Sequence, residues 1–419
     1  MAAAHSLADE STGALLTNPK GMVPSMIEAV ARLFVTRFLQ TYISCGCLLL
    51  LEEGGTRFTF EGDRSICPLK AVLRVHSHQF YWKVMTRADL GLADAYIDGD
   101  FSFTDKKDGL LNLIMILIAS SNVNSNITKM KKTRGWWAPV LFTAGISSAI
   151  NFYKHYLRKN TLTNARRNIS RHYDLSNELF ALFLDETMQY SSAVFKNEDE
   201  DLKVAQLRKI SILIEKTRIN TKHEILEIGC GWGSFAIEVV KRTGCKYTGI
   251  TLFEAQLEFA KKKVKDAGLQ FISLPDQRYD EIRLQSGFMR EYIFPGVCLP
   301  SLNRVTSAMT SASELCVEHL ENIGNHYCKT LGCWRKNFME NQSKIVALGF
   351  DEKFIRTWEY YFEYCAAAFK SRTLRDYQIV FARPGNVAAF GNPYQRVPSE
   401  VDHDHDIPVS DGETTEPSY

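Results

Sequence analysis

The run Glu224-Ile225-Leu226-Glu227-Ile228-Gly229-Cys230-Gly231-Trp232-Gly233-Ser234 holds the clearest chemistry in this chain. Ile225, Leu226 and Ile228 suit a buried strand, the three glycines suit a tight turn, and residues 235–242 suit the helix that follows. Glycine lets backbone approach a ligand closely, and open α/β sheets bind ligands at the C-terminal ends of their strands. The spacing is G-x-G-x-G with Glu227 inside the strand, and no third glycine stands where a dinucleotide pyrophosphate needs one. The pattern points to S-adenosylmethionine rather than NAD, with Glu227, Gly229, Gly231 and Gly233 beside the donor.

The elements that must carry this turn read as an α/β, Rossmann-like methyltransferase domain over residues 165–385, preceded by a small α+β domain over 24–121. In the smaller domain, Cys47 to Leu51 and Arg57 to Phe60 flank Glu52-Glu53-Gly54-Gly55 as a hairpin, and Ala71 to Val75 is a further strand. A helix from Phe80 leads into Leu90 to Tyr96, and the apolar run Leu110 to Ala119 is about half the ~20 residues of a bilayer span, so it is expected as a buried helix. Residues 122–164 form a linker and helix with Lys129, Lys131, Lys132 and Arg134 beside Trp136 and Trp137. That composition suits a solvated connection, or contact with anionic headgroups. Residues 1–23 and 386–419 are expected to be disordered, with Asp402 to Asp406 a solvated charge run rather than a metal site.

Composition narrows the partners. Fifty Lys plus Arg against 48 Asp plus Glu leaves a charge of +2 and no nucleic-acid signature. Ten cysteines without a C-x-x-C pair suggest free thiols in a reducing compartment, and no secretory leader is visible. A cytoplasmic protein, at most peripheral on membranes, is expected.

Around the glycine turn lie Arg171-His172-Tyr173-Asp174, Phe183-Leu184-Asp185, Tyr190-Ser191-Ser192-Ala193, Gly249-Ile250-Thr251-Leu252 and Gln256. Tyr292-Ile293-Phe294-Pro295-Gly296 and Tyr327-x-x-Thr330-Leu331-x-x-Trp334 follow. Together these resemble the cyclopropane-fatty-acyl-phospholipid synthases and the mycolic acid cyclopropane synthases, over about residues 25–385. The Leu90-Gly91-Leu92-x-x-Ala95-Tyr96 run resembles the bacterial phospholipid enzymes. The wording is closest to plant-type members, which usually carry upstream an amine-oxidase-like domain that these residues lack.

The resemblance implies transfer of a methylene to a cis double bond of a phospholipid acyl chain at a membrane surface. An alkene is a weak nucleophile, so the methyl must be strongly electrophilic. The site must be dry, tolerate a carbocation and hold a base. The family's donor contacts fall on Tyr190, Ser191, Thr251, Leu252 and Gln256. The family's base is a bound bicarbonate. Its ligands map to Tyr327, to Ser192 in place of a cysteine, and to Gln270 and Ile272 in place of a His-x-Ile segment. The family's glutamate has no counterpart. His172 and Cys365 also fall on family positions.

A methyltransferase sheet needs further βαβ units after its second strand. Here Leu269 to Leu274 already resembles the fifth strand, so about two units of ~30 residues are missing near 268–271. The reading is a lipid methyltransferase impaired by that loss. The alternatives are a non-catalytic donor- or lipid-binding isoform that pairs with full-length enzyme, or a methyltransferase for another acceptor such as a small amine. Self-association as a homodimer is a further expectation.

Overall fold

A computed structural model describes residues 26–128, 175–250, 266–283 and 287–385. The expected disordered ends and the basic, Trp-rich segment lie outside the described residues.

The N-terminal unit opens with helix α1 (Met26–Tyr42), followed by β1 (Cys47–Glu52), β2 (Arg57–Glu61), β3 (Lys70–Val75), α2 (Gln79–Ile97), β4 (Phe101–Phe103) and α3 (Gly109–Thr128). The expected hairpin forms, with Leu48 opposite Phe60 in the antiparallel β1–β2 pair. The strand at Ala71 does not continue a meander. It lies parallel to β1, and the sheet order is β2-β1-β3-β4. The Leu110 run is a core helix, with Leu110, Leu113, Ile114 and Ile116 buried. Among the described residues no helix is long and apolar enough to cross a membrane. Helix α2 kinks at Ala88 (φ 50°), and the kink folds Lys83 back against Gly91. A Cβ on Gly91 would stand 1.9 Å from the Lys83 carbonyl oxygen, so the Leu-Gly-Leu run needs its glycine for close backbone approach.

The second unit contains α4 (Asn177–Ala181), α5 (Leu202–Thr217), β5 (Glu224–Ile228), α6 (Ser234–Thr243), β6 (Lys246–Ile250), β7 (Asp266–Ser273) and α7 (Asp276–Ile282). After a π-helical turn (Met289–Ile293) come α8 (Leu302–Ala312), β8 (Cys316–Asn322), α9 (Gly324–Glu340), α10 (Gln342–Ala347), α11 (Glu352–Lys370) and β9 (Arg375–Ala382). The strands form two separate sheets. β5 and β6 make a parallel pair, and β7-β9-β8 is antiparallel throughout. Among the described residues no strand pairs the other edge of β5. The sequence predicts a buried strand there, yet Ile228 is 51% exposed and Ile225 and Leu226 are half-buried. The reason is physical: a strand with one neighbour keeps only part of the cover that a central strand receives.

Helix α5 joins the fragments. Ile210 and Ile214 pack with Val239 of α6 and Cys245 ahead of β6. On another face of the same helix, buried Lys216 pairs with Glu321 of β8 and donates to Gln378 Oε1 of β9 at 2.7 Å.

One apolar core runs from α1 through α2 and α3 to α9 and α11. A polar network sits within it. Tyr96 donates to Glu359 Oε2 (2.6 Å), and Arg335 bridges Glu359 (2.7 Å) and Glu363 (2.8 Å). Burial pushes the Glu363 carboxyl up to about 7 despite Arg335 beside it. Breaking a buried ion pair leaves an uncompensated charge, so Arg335→Met should lower unfolding stability by about 3–5 kcal/mol in urea melts. A loss below the ~1 kcal/mol of an exposed pair would contradict the burial of this network.

Candidate functional site

The glycine turn leaves the C-terminal end of β5 with Gly229, Gly231 and Gly233 at φ 84°, 49° and 83°. L-residues with a side chain avoid that region, so the backbone conformation itself requires glycine. Apart from its chain neighbours, a Cβ at any of the three would meet no atom of the described residues within 4 Å, so those residues leave the space over the turn open. An open, side-chain-free backbone surface at a helix N-terminus fits the close approach of S-adenosylmethionine. The Gly233 N–H donates to the Cys230 carbonyl (2.8 Å), and the Ile237 N–H to the Gly233 carbonyl (3.0 Å), which starts α6.

Side chains fasten this turn to the segment before α5. Trp232 Nε1 donates to Asn177 Oδ1 (3.0 Å), its ring lies 5.2 Å from Phe180, and the Ser234 hydroxyl donates to the Thr187 carbonyl. Glu227 sits half-buried at the strand end and accepts from the Tyr247 hydroxyl. Burial raises the Glu227 pKa against the opposing pull of that hydrogen bond and of Lys209.

Of the predicted donor pair, Tyr190 packs on α9, as do Ala193 and Phe195 beyond it, whereas Ser191 is bonded to α5 through Lys209. Tyr190 packs 5.2 Å from Trp334, the Ala193 N–H donates to Thr330 Oγ1 (3.1 Å), and the Phe195 N–H to His326 Nδ1 (3.3 Å). Residues 326, 330 and 334 are about one helical turn apart, so the Thr330 and Trp334 positions of the motif serve as successive rungs for this segment. The Tyr190 hydroxyl meets the Tyr361 hydroxyl at 2.9 Å. Tyr361 lies among Tyr190, Cys365 and Tyr327, and burial pushes its phenol pKa well up. Three of the predicted residues thus gather round a tyrosine that no motif in the sequence marks. Its only signal was a place on the apolar face of the helix from Glu352.

The remaining predicted positions have other partners. Tyr327 is buried and stacks 4.4 Å from Phe369. The buried Ser192 hydroxyl donates to the Ala193 carbonyl (3.0 Å). Gln270 gives its amide N–H to buried Asp376 Oδ2 (2.9 Å), and Ile272 packs on the main core. Cys365 is buried, its thiol is pushed up to about 12 by burial, and its sulfur lies 3.8 Å from Met289 Sδ. His172, Thr251, Leu252 and Gln256 lie outside the described residues. Among the described residues, no group of three or more His, Cys, Asp or Glu could hold a metal.

The sequence description of the mycolic acid cyclopropane synthetase family matches residues 160–274 and again 269–379, more than half of the 419. The chain belongs to this family. A tuberculostearic acid methyltransferase of Mycobacterium tuberculosis is 28% identical over 357 residues, covering 71% of this chain and 79% of the relative. The cyclopropane-fatty-acyl-phospholipid synthase of Escherichia coli is 26% identical over 359 residues, covering 75% and 88%. A solved cyclopropane synthase of M. tuberculosis is 21% identical, covers 52% of this chain and 98% of its own, and superposes with a TM-score of 0.45. As a cyclopropane synthetase family member, the chain has the α/β fold of S-adenosylmethionine-dependent methyltransferases that act on lipids.

Proposed function

We propose that this chain is a cyclopropane-fatty-acyl-phospholipid synthase whose donor turn is intact and whose catalytic centre is interrupted by the loss of two βαβ units after Gly268. The open edge of β5 carries the reading. The family matches support it: the same six residues, 269–274, end one match and begin the next. Alignment over 357 residues that takes in 71% of the chain leaves about 60 positions unmatched, the length of two βαβ units of ~30 residues.

S-adenosylmethionine, when bound, supplies a methyl on a sulfonium, electrophilic enough for an alkene. Gly229, Gly231 and Gly233 bring backbone to it, with Tyr190 and Ser191 alongside. Phe180, Phe183, Trp334 and Trp358 surround Tyr190 or its neighbours, exclude water and offer ring faces that tolerate a cation. The bicarbonate set does not fit. Ser192 and Gln270 are bonded to Ala193 and Asp376, and the acidic ligand is missing. No proton-removal step is assigned to these residues.

The acceptor class is a cis-unsaturated phospholipid acyl chain presented at a membrane surface. A second reading, a non-catalytic isoform that associates with a full-length copy, draws on the same β5 edge, because an unpaired strand is a template for pairing. Methyl-labelled S-adenosylmethionine tests both. The chain should bind the donor in equilibrium dialysis yet transfer little label to unsaturated phospholipid vesicles. Absence of donor binding would overturn the proposal, and label entering a small amine would assign another acceptor.

A further inference from the structure

Gln206 and Lys209 stand three residues apart on α5, on one face of the helix. Both are buried, with 0% and 1% exposure. Lys209 Nζ donates to Ser191 Oγ at 2.7 Å and to Gln189 Oε1 at 3.0 Å. Gln206 Nε2 donates to the Ser191 carbonyl at 3.0 Å and the Gln189 carbonyl at 3.4 Å. Four bonds therefore hold the residues on either side of Tyr190. The Tyr190 ring faces the other way, into the aromatic group of Phe180, Phe183 and Trp334.

A lysine is an expensive choice for this place. Burying an ammonium is unfavourable without a close counter-ion, and among the described residues no carboxylate lies within 4.0 Å of Lys209. Its nearest acids act from a distance: Asp376 on β9, Asp185 after α4 and Glu227 on β5. A methionine would fill the same space without that cost, so packing does not explain the charge.

Hydrogen-bond polarity does. An ammonium carries three donors and no acceptor, whereas a serine hydroxyl can donate or accept. We propose that Lys209 and Gln206 are positioning residues for the methyl donor: by donating to Ser191 Oγ, Lys209 turns the Ser191 proton outward, where it serves as a hydrogen-bond donor to the anionic carboxylate end of the bound donor molecule. Gln206 fixes the backbone on which that hydroxyl stands. The inference rests on the donor-site reading of the glycine turn.

Deprotonation of Lys209 undoes the arrangement, because a neutral amine can accept the Ser191 proton instead. Burial lowers the Lys209 ammonium to about 7, with Asp376, Asp185 and Glu227 opposing the shift. Donor affinity should accordingly be greater below that pH and weaken above it. The α-amino group of the donor titrates nearby, at about 8, in every protein compared, so the variants isolate the contribution of Lys209.

Calorimetry of S-adenosylmethionine with the full chain between pH 6 and 8.5 tests this. Lys209→Met should bind about 10-fold more weakly at pH 6, in line with losing a charge-assisted hydrogen bond, and should lose the extra pH slope. Lys209→Arg keeps a permanent donor-only charge, so it should recover most of the affinity without that slope. Burial pushes the Asp376 carboxyl up to about 7, so it titrates in the same range as Lys209; Asp376→Asn removes that titration together with the carboxylate's support for the ammonium, and should move the slope to lower pH. In a Ser191→Ala background Lys209→Met should change little, and Ser191→Ala alone tests the hydroxyl if Lys209→Met fails to fold. Wild-type affinity and slope in Lys209→Met would overturn the inference while leaving the donor site standing. Absence of binding by the unmodified chain would remove the donor site and this inference together.

Discussion

Cells expressing this chain as written are expected to accumulate little or no cyclopropane fatty acid, measured by gas chromatography of their lipids. Two independent features motivate this expectation. Among the described residues β5 pairs with β6 alone, so the donor turn stands at the edge of a two-stranded sheet and is walled on one side. On the proposed reading the base site lacks its acid, and Gln270, which the resemblance sets in place of a histidine, is bonded to Asp376. Loss of a positioned base typically costs about 100- to 10,000-fold. Inserting a family segment with two βαβ units and its acidic loop between Gly268 and Gln270 should recover turnover. Equal accumulation from the unmodified and restored chains would defeat the argument, and would require another side chain to supply the base.

Replacing Gly231 with valine should weaken S-adenosylmethionine binding by at least about 10-fold, or 1.4 kcal/mol. Left-handed backbone costs an L-residue roughly 1–2 kcal/mol, and a β-branched side chain is especially ill-suited to it. Gly231 holds φ 49°, and apart from its chain neighbours a Cβ there would meet no atom of the described residues within 4 Å. The valine methyls therefore project into the space assigned to the donor rather than into the core, and the protein should fold with its site obstructed. Calorimetry alongside circular-dichroism melts separates the two effects. Unchanged affinity in a folded variant would remove the turn from the site.

The contrast between what could and could not be read beforehand follows from the range of the forces involved. Hairpin residues, the Leu110 helix and the three glycines announce themselves because turn chemistry, helix burial and positive φ are set within a few residues. Tyr190 and Tyr327, which the resemblance sets at the donor and at the bicarbonate, both pack on Trp334. The parallel pairing of β1 with β3 was not legible, since it depends on which edge of β1 remains free after the hairpin closes. Ile228 looked buried because its type is apolar, but its exposure depends on strands contributed from elsewhere. Lys209 reads as a surface charge until α5 is docked. Its signal was faint: Gln206, Lys209 and Lys216 share a helical stripe with Leu202 and Ala205. The resemblance maps Gln270 onto a ligand, and its bond to Asp376 joins residues 106 apart in sequence.

The division of the strands into two ladders bears on how the molecule opens. The unit made of β5, α6 and β6 rests on α5 through a cluster of four buried side chains, Ile210, Ile214, Val239 and Cys245. The core around α9 and α11 is far larger and continuous with the N-terminal sheet. Segments with few buried contacts detach at lower free energy than the whole protein unfolds. Among the described residues the glycine turn is held by this cluster, by Trp232 against Phe180 and by the Ser234 bond to Thr187, a smaller hold than the main core provides, and only its closed fraction can receive a ligand. Apparent affinity is divided down by that fraction, so a ligand on the turn acts as the missing neighbour, drawing the small sheet into the cooperative unit that the two ladders do not share.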